Sequence, residues 1–126
     1  MSPVPVCCLK GRQLAFNLDE LSEKNGRILH VGRARNIDLF MRNINDMGSM
    51  VSRKHATIIK DRNKYFLHPI SKSTNGTYVN ERRIRNLVEL HDGDIIGFGG
   101  PQYVQLQGET KISRNPYVFM FLERDS

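Results

Sequence analysis

The chain has 126 residues, 39% hydrophobic and 25% charged, with a net charge of +6. That composition fits one globular domain whose core needs no metal or disulfide staple. It excludes a bilayer-spanning segment, and the first ten residues lack a charged stretch leading into a long apolar one, so no secretory leader is expected.

The elements read as short strands. Segments 4–9 and 13–18 flank the turn-like Lys10-Gly11-Arg12. Segment 27–31 is stopped by Gly32, and 37–40 follows. Segments 55–60 and 64–68 flank Asp61-Arg62-Asn63, a natural hairpin turn. Segment 77–79 follows Asn75-Gly76, segments 87–90 and 94–98 flank His91-Asp92-Gly93, and 103–106 and 116–122 finish the chain. Stretches 43–50 and 110–115 read as loops. The one helical candidate, 19–24, is too short to anchor a layer. About eleven short strands with turn signals between them, and little or no helix, predict an all-β sandwich.

Cys7 and Cys8 are adjacent, a geometry that disfavours a bridge between them, so both are expected reduced. His30, His55, His68 and His91 show no metal-ligand spacing. From Arg33 to Arg85 there are 12 basic residues against four acids, a local charge of +8, whereas the remainder carries −2. A cationic middle suits an anionic partner: nucleic acid, lipid headgroups or a phosphorylated protein. A merely solvated basic surface is equally admissible on charge alone.

Four motifs fall at strand ends: Gly32-Arg33, Ser52-Arg53-Lys54-His55, Ser73-Thr74-Asn75-Gly76-Thr77 and Val79-Asn80. A bound phosphate needs a cation with forked donors, which Arg33 can supply. It needs hydroxyl donors, which Ser52 and Thr74 can supply. It also needs backbone that approaches closely, which Gly32 and Gly76 permit. Each motif alone is commonplace in turns, and together they make an anion site plausible.

Their order and spacing, followed by Leu90-His91-Asp92-Gly93-Asp94-Ile95-Ile96-Gly97-Phe98-Gly99, resemble the forkhead-associated (FHA) domain from about Ile28 to Gly99. The resemblance implies an eleven-strand sandwich that binds phosphothreonine in extended peptides, without catalysis or cofactor. It implies that Arg33, Ser52, Arg53 and Thr74 contact the phosphate and that Asn75 holds the peptide backbone. Gly32, His55, Gly76 and Asn80 would shape and brace the loops, with His55 acting through its ring N–H. A small pocket for the threonine γ-methyl would favour threonine over serine, one buried methyl being worth about 0.8 kcal/mol. The chain departs from the pattern at Glu81, where the family usually has glycine, so a wider or differently shaped turn is expected there. Met50 lies where some members carry a charged residue that reads the third residue after the phosphothreonine, and a methionine there would favour an apolar one.

The expected chain is therefore a single FHA domain, possible as the N-terminal part of a longer protein, that recruits phosphorylated partners in kinase signalling such as DNA-damage, chromatin or cell-cycle pathways. The resemblance favours the nucleus over the cytoplasm. No membrane partner is expected. The alternatives are a scaffold or self-association surface that needs no phosphate, and a basic nucleic-acid-binding surface. The latter lacks an aromatic-rich basic strand, a helix-turn-helix and a zinc finger. An enzyme is not expected, since no Ser/His/Asp arrangement, metal cluster or helix-opening phosphate loop is visible.

Overall fold

Alternation of buried and exposed residues decides which strand faces meet. The computed structural model describes residues 5–70 and 73–125. Among these, thirteen strands form: β1 (Pro5–Lys10), β2 (Ala15–Asn17), β3 (Ile28–Gly32), β4 (Leu39–Phe40), β5 (Ala56–Asp61), β6 (Lys64–Pro69), β7 (Thr77–Val79), β8 (Arg82–Arg83), β9 (Val88–Glu89), β10 (Ile95–Phe98), β11 (Tyr103–Leu106), β12 (Glu109–Ile112) and β13 (Val118–Asp125). One sheet runs β2-β1-β13-β10-β7-β8 and the other β4-β3-β5-β6-β9, with β11 and β12 forming a separate hairpin. All described pairings are antiparallel except that of β3 with β4.

The two large sheets bury their inner faces against each other. Leu9, Ile96, Phe98, Phe119 and Phe121 come from the first sheet, and Leu29, Val31, Ile58, Tyr65 and Leu67 from the second. Tyr65 meets Phe121 edge-on across the interface, with ring centroids 6.1 Å apart. This is the sandwich that the sequence predicts, with two strands beyond the expected eleven. One is β8, which follows Val79 by a two-residue turn. The other is β12, in a stretch expected to be loop.

The segment expected as a strand at 13–18 is shortened by a helix, α1 (Leu18–Asn25). The Asn17 side chain caps it by accepting the Glu20 N–H, and Gly26, at φ 96°, ends it. Asp19 then ties the sheets together at that edge. Its carboxylate accepts the Cys7 N–H and the Tyr65 hydroxyl, both at 2.7 Å, and Lys60 Nζ lies 3.5 Å away. Both cysteines are free thiols, Cys7 buried and Cys8 half-buried. Among the described residues no helix is long and apolar enough to cross a membrane.

Candidate functional site

The ligand-bearing motifs gather where β3 ends, β5 begins and β7 begins. At Gly32 the chain has no room for a side chain: a Cβ there would lie 2.1 Å from the Arg53 carbonyl oxygen and 2.9 Å from that of Ser52. The close approach lets the Arg33 N–H donate to the Ser52 carbonyl (3.1 Å) and the Ala34 N–H to that of Arg53 (3.3 Å). Two motifs separated by some twenty residues are thereby stitched backbone to backbone.

His55 joins the third motif to these two. It is fully buried. Its Nδ1 accepts the Ser52 N–H at 3.0 Å, and its Nε2 faces the Gly76 carbonyl oxygen at 2.7 Å. An N–H can only donate and a carbonyl can only accept, so the proton sits on Nε2 and the ring is neutral. Burial lowers the His55 pKa below its usual 6.5; the Gly76 bond opposes that shift and the Arg83 charge adds to it. The His55 carbonyl in turn accepts the Ser73 hydroxyl (2.8 Å) and the Ile70 N–H (3.1 Å). Gly76 is at φ 77° and its carbonyl also accepts the Gly99 N–H at 2.8 Å. The loop after β10 is thus tied to the same point.

The long loop between β4 and β5 is held from below. The Tyr117 hydroxyl donates to the Arg42 carbonyl at 2.9 Å and accepts the Ile44 N–H at 3.0 Å. The loop ends in a short 3-10 turn, Gly48–Met50. The Asn75 Nδ2 donates to the Met50 carbonyl at 3.1 Å, closing the ring of loops.

On this frame Arg33, Arg53, Thr74 and Asn75 are exposed and Ser52 is half-exposed. Among the described residues the side chains of Arg33, Arg53, Ser52 and Thr74 make no hydrogen bond or ion pair. Arg33 and Arg53 line one groove of about 840 Å³. The structure therefore brings the Arg33, Ser52-Arg53 and Thr74-Asn75 loops together, with Gly32, His55 and Gly76 bracing them.

Asn80, expected as a loop brace, braces a turn at the other end of β7. Its Nδ2 donates to Asp94 (3.0 Å) and its Oδ1 accepts the Ile95 N–H (3.0 Å), so it braces the β7–β8 turn against the far end of β10. Asn80 and Glu81 both have positive φ, 49° and 73°, giving the tight two-residue turn despite the missing glycine. The Glu81 carboxylate accepts the Tyr103 N–H at 3.0 Å and holds the β11–β12 hairpin instead. Sequence reasoning assigned no role to Ser73, Gly99 or Tyr117. Ser73 and Gly99 lay inside the motifs, but their backbone partners are visible only in three dimensions.

The family model described as FHA domain matches residues 29–99. The chain is 32% identical over 91 residues to the transcriptional regulatory protein EmbR of Mycobacterium tuberculosis, covering 68% of this chain and 22% of EmbR. It thus spans about a fifth of the length of the curated relatives it matches. The structure of M. tuberculosis EmbR in complex with a low-affinity phosphopeptide superposes with a TM-score of 0.64 at 24% identity, over 96% of this chain and 25% of that one. An FHA domain of an Arabidopsis thaliana hypothetical protein superposes at 0.65 with 21% identity, over 100% and 93%. A structure described for phosphothreonine-dependent FHA domain interactions superposes at 0.61 with 22% identity, over 94% and 95%.

Proposed function

Because the chain belongs to the FHA domain family, we propose that it is a phosphothreonine-dependent binding module that recruits phosphorylated proteins. Arg33 and Arg53 supply forked cationic donors to the phosphate, and Ser52 and Thr74 supply hydroxyls. Asn75 holds the peptide backbone beside the phosphothreonine. Met50, at the rim next to Asn75, reads a nearby apolar side chain. The observation that carries this reading is the pairing of unengaged donors with a braced frame: Gly32 and His55 join the three loops while the side chains of Arg33, Ser52, Arg53 and Thr74 have no hydrogen-bond or ion-pair partner among the described residues. Loop backbone held in place before binding loses little freedom on binding. The reading assigns the chain no catalytic role and no cofactor. The curated relatives it matches are mycobacterial, which lends no support to the nuclear expectation.

Anisotropy titration of a phosphothreonine peptide, its phosphoserine form and its unphosphorylated form tests the reading. The phosphothreonine form is expected to bind best, with about a fourfold margin over phosphoserine from one buried methyl. Arg33→Ala is expected to weaken it by about tenfold or more, the size of a lost charge-assisted contact. Equal binding of phosphorylated and unphosphorylated peptides would favour the phosphate-independent scaffold. An unchanged affinity in Arg33→Ala would move the site.

A further inference from the structure

The groove that contains Arg33 and Arg53 carries more positive charge than one phosphate engages. Arg35 and Lys54 line it as well, as do Ile37 and Ile70 on its apolar walls. Asp38 is the one carboxylate in the lining; its Oδ2 accepts the His30 N–H at 2.7 Å, and its charge leaves the groove a formal net of +3. Arg35 and Lys54 are exposed and, like Arg33 and Arg53, make no ion pair or side-chain hydrogen bond among the described residues. Four cations gathered in one groove repel one another and concentrate anions there. A phosphate ester carries roughly −1.5 to −2 charges near neutral pH. With Arg33 and Arg53 assigned to it, Arg35 and Lys54 face only the single Asp38 carboxylate, so about one positive charge is left over. Neither Met50 nor Asn75 lines the groove, so it extends the site on a side they do not reach.

We propose, resting on the phosphothreonine reading above, that the preferred ligand is a phosphothreonine peptide bearing a second anionic group, received by Arg35 and Lys54. Arg33 and Arg35 lie two residues apart on one loop, roughly 7 Å at full extension. The second anion therefore falls within about three residues of the phosphothreonine. A carboxylate and a second phosphate share the required chemistry.

Peptides of one length distinguish these cases by fluorescence anisotropy. One has a phosphothreonine with neutral flanks, one has glutamates within three residues on its N-terminal side, and one has them on its C-terminal side. A fourth replaces the better-placed glutamates by one phosphoserine, and a fifth carries glutamates without phosphate. One acid-flanked phosphothreonine peptide is expected to bind about three- to tenfold more tightly than the neutral-flanked one, the range for one or two exposed ion pairs. In Arg35→Gln/Lys54→Gln the ratio of those two affinities is expected to fall close to one. The phosphoserine arm shows which anion the subsite prefers. Equal affinities for neutral and acid-flanked phosphothreonine peptides would overturn the proposal, as would an unchanged ratio in the double variant. A single-stranded oligonucleotide that displaces the acidic peptide at equal concentration would also overturn it, in favour of a general polyanion surface. Loss of all phosphate dependence would instead overturn the parent reading, through the fifth peptide binding as well as its phosphorylated counterpart.

Discussion

At His55 one protonation state holds the site together. Its Nδ1 must accept and its Nε2 must donate, which only the neutral ring can do. The folded pKa lies below the unfolded value of 6.5, so the unfolded chain takes up the proton first. This residue's contribution to stability is thus complete above pH 6.5 and is lost as pH falls below it. Urea titrations are expected to show a midpoint that declines from pH 7 to pH 5, with much of the decline removed in His55→Gln. That variant, measured at pH 7.5, is expected to be less stable by about 2–3 kcal/mol, since it leaves a buried backbone group without its partner. The family resemblance implies that His55 is a loop brace acting through its ring N–H. The second bond, accepted from Ser52, was not legible, because it depends on how the loop folds back over three residues.

Single elements differ in how plainly they were written. The longer strands β5, β6 and β13 are rich in apolar and aromatic residues, bury alternate side chains, and are bounded by turn residues, so they can be read directly. Two-residue strands such as β4, β8 and β9 cannot show a period. The β12 strand is exposed along its whole length, so it lacks the apolar signal, and only the Gln107-Gly108 turn, with φ 53° and 80°, marks the hairpin. The helix α1 shows in the sequence only as the fragment 19–24, because its cap, Asn17, falls within the expected strand 13–18. The two ends of the sandwich can be probed separately. Gly32→Ala forces the β3 end away from the Arg53 carbonyl and is expected to abolish phosphopeptide binding in the anisotropy titration. Arg62, in the β5–β6 turn, is exposed with φ 59°. It lies a strand length, roughly 17 Å, from the ligand loops. Arg62→Gly relieves that backbone and is expected to add about 0.5–1 kcal/mol in urea denaturation, with peptide affinity unchanged.

For the molecule as a whole, the +8 segment in a chain of net charge +6 admits several anionic partners, and salt dependence separates them. Of the 12 basic residues, four collect in one groove beside the braced loops. Others are engaged elsewhere, Lys60 against Asp19 and Lys64 against Glu89. On the proposed reading this gathering serves a localised anion, whereas a nucleic-acid backbone tracks a continuous basic stripe. The logarithm of peptide affinity is expected to fall with the logarithm of salt concentration with a shallow slope, about −1 to −3. A protein contacting six to ten phosphates would give a slope several-fold steeper. A measured slope beyond about −5 would favour the polyelectrolyte partner. Charge placement was the part of the site that the sequence left open, because grouping along the chain does not say which side chains share a groove.

The edge opposite to this chemistry contains a built-in clock. The Cys7 thiol is buried between α1 and β13, and burial, reinforced by the nearby Asp19 and Glu123 carboxylates, pushes its pKa up to about 12. At pH 8 it holds almost no thiolate while β1 stays paired, whereas an unfolded cysteine near its ordinary value holds a substantial fraction. Alkylation of Cys7, resolved from Cys8 by peptide mass spectrometry, would therefore count openings of the six-stranded sheet one chain at a time. Because the thiol touches none of the ligand loops, slower alkylation with phosphopeptide present would measure how far binding at the loop end restrains the far side of the sandwich.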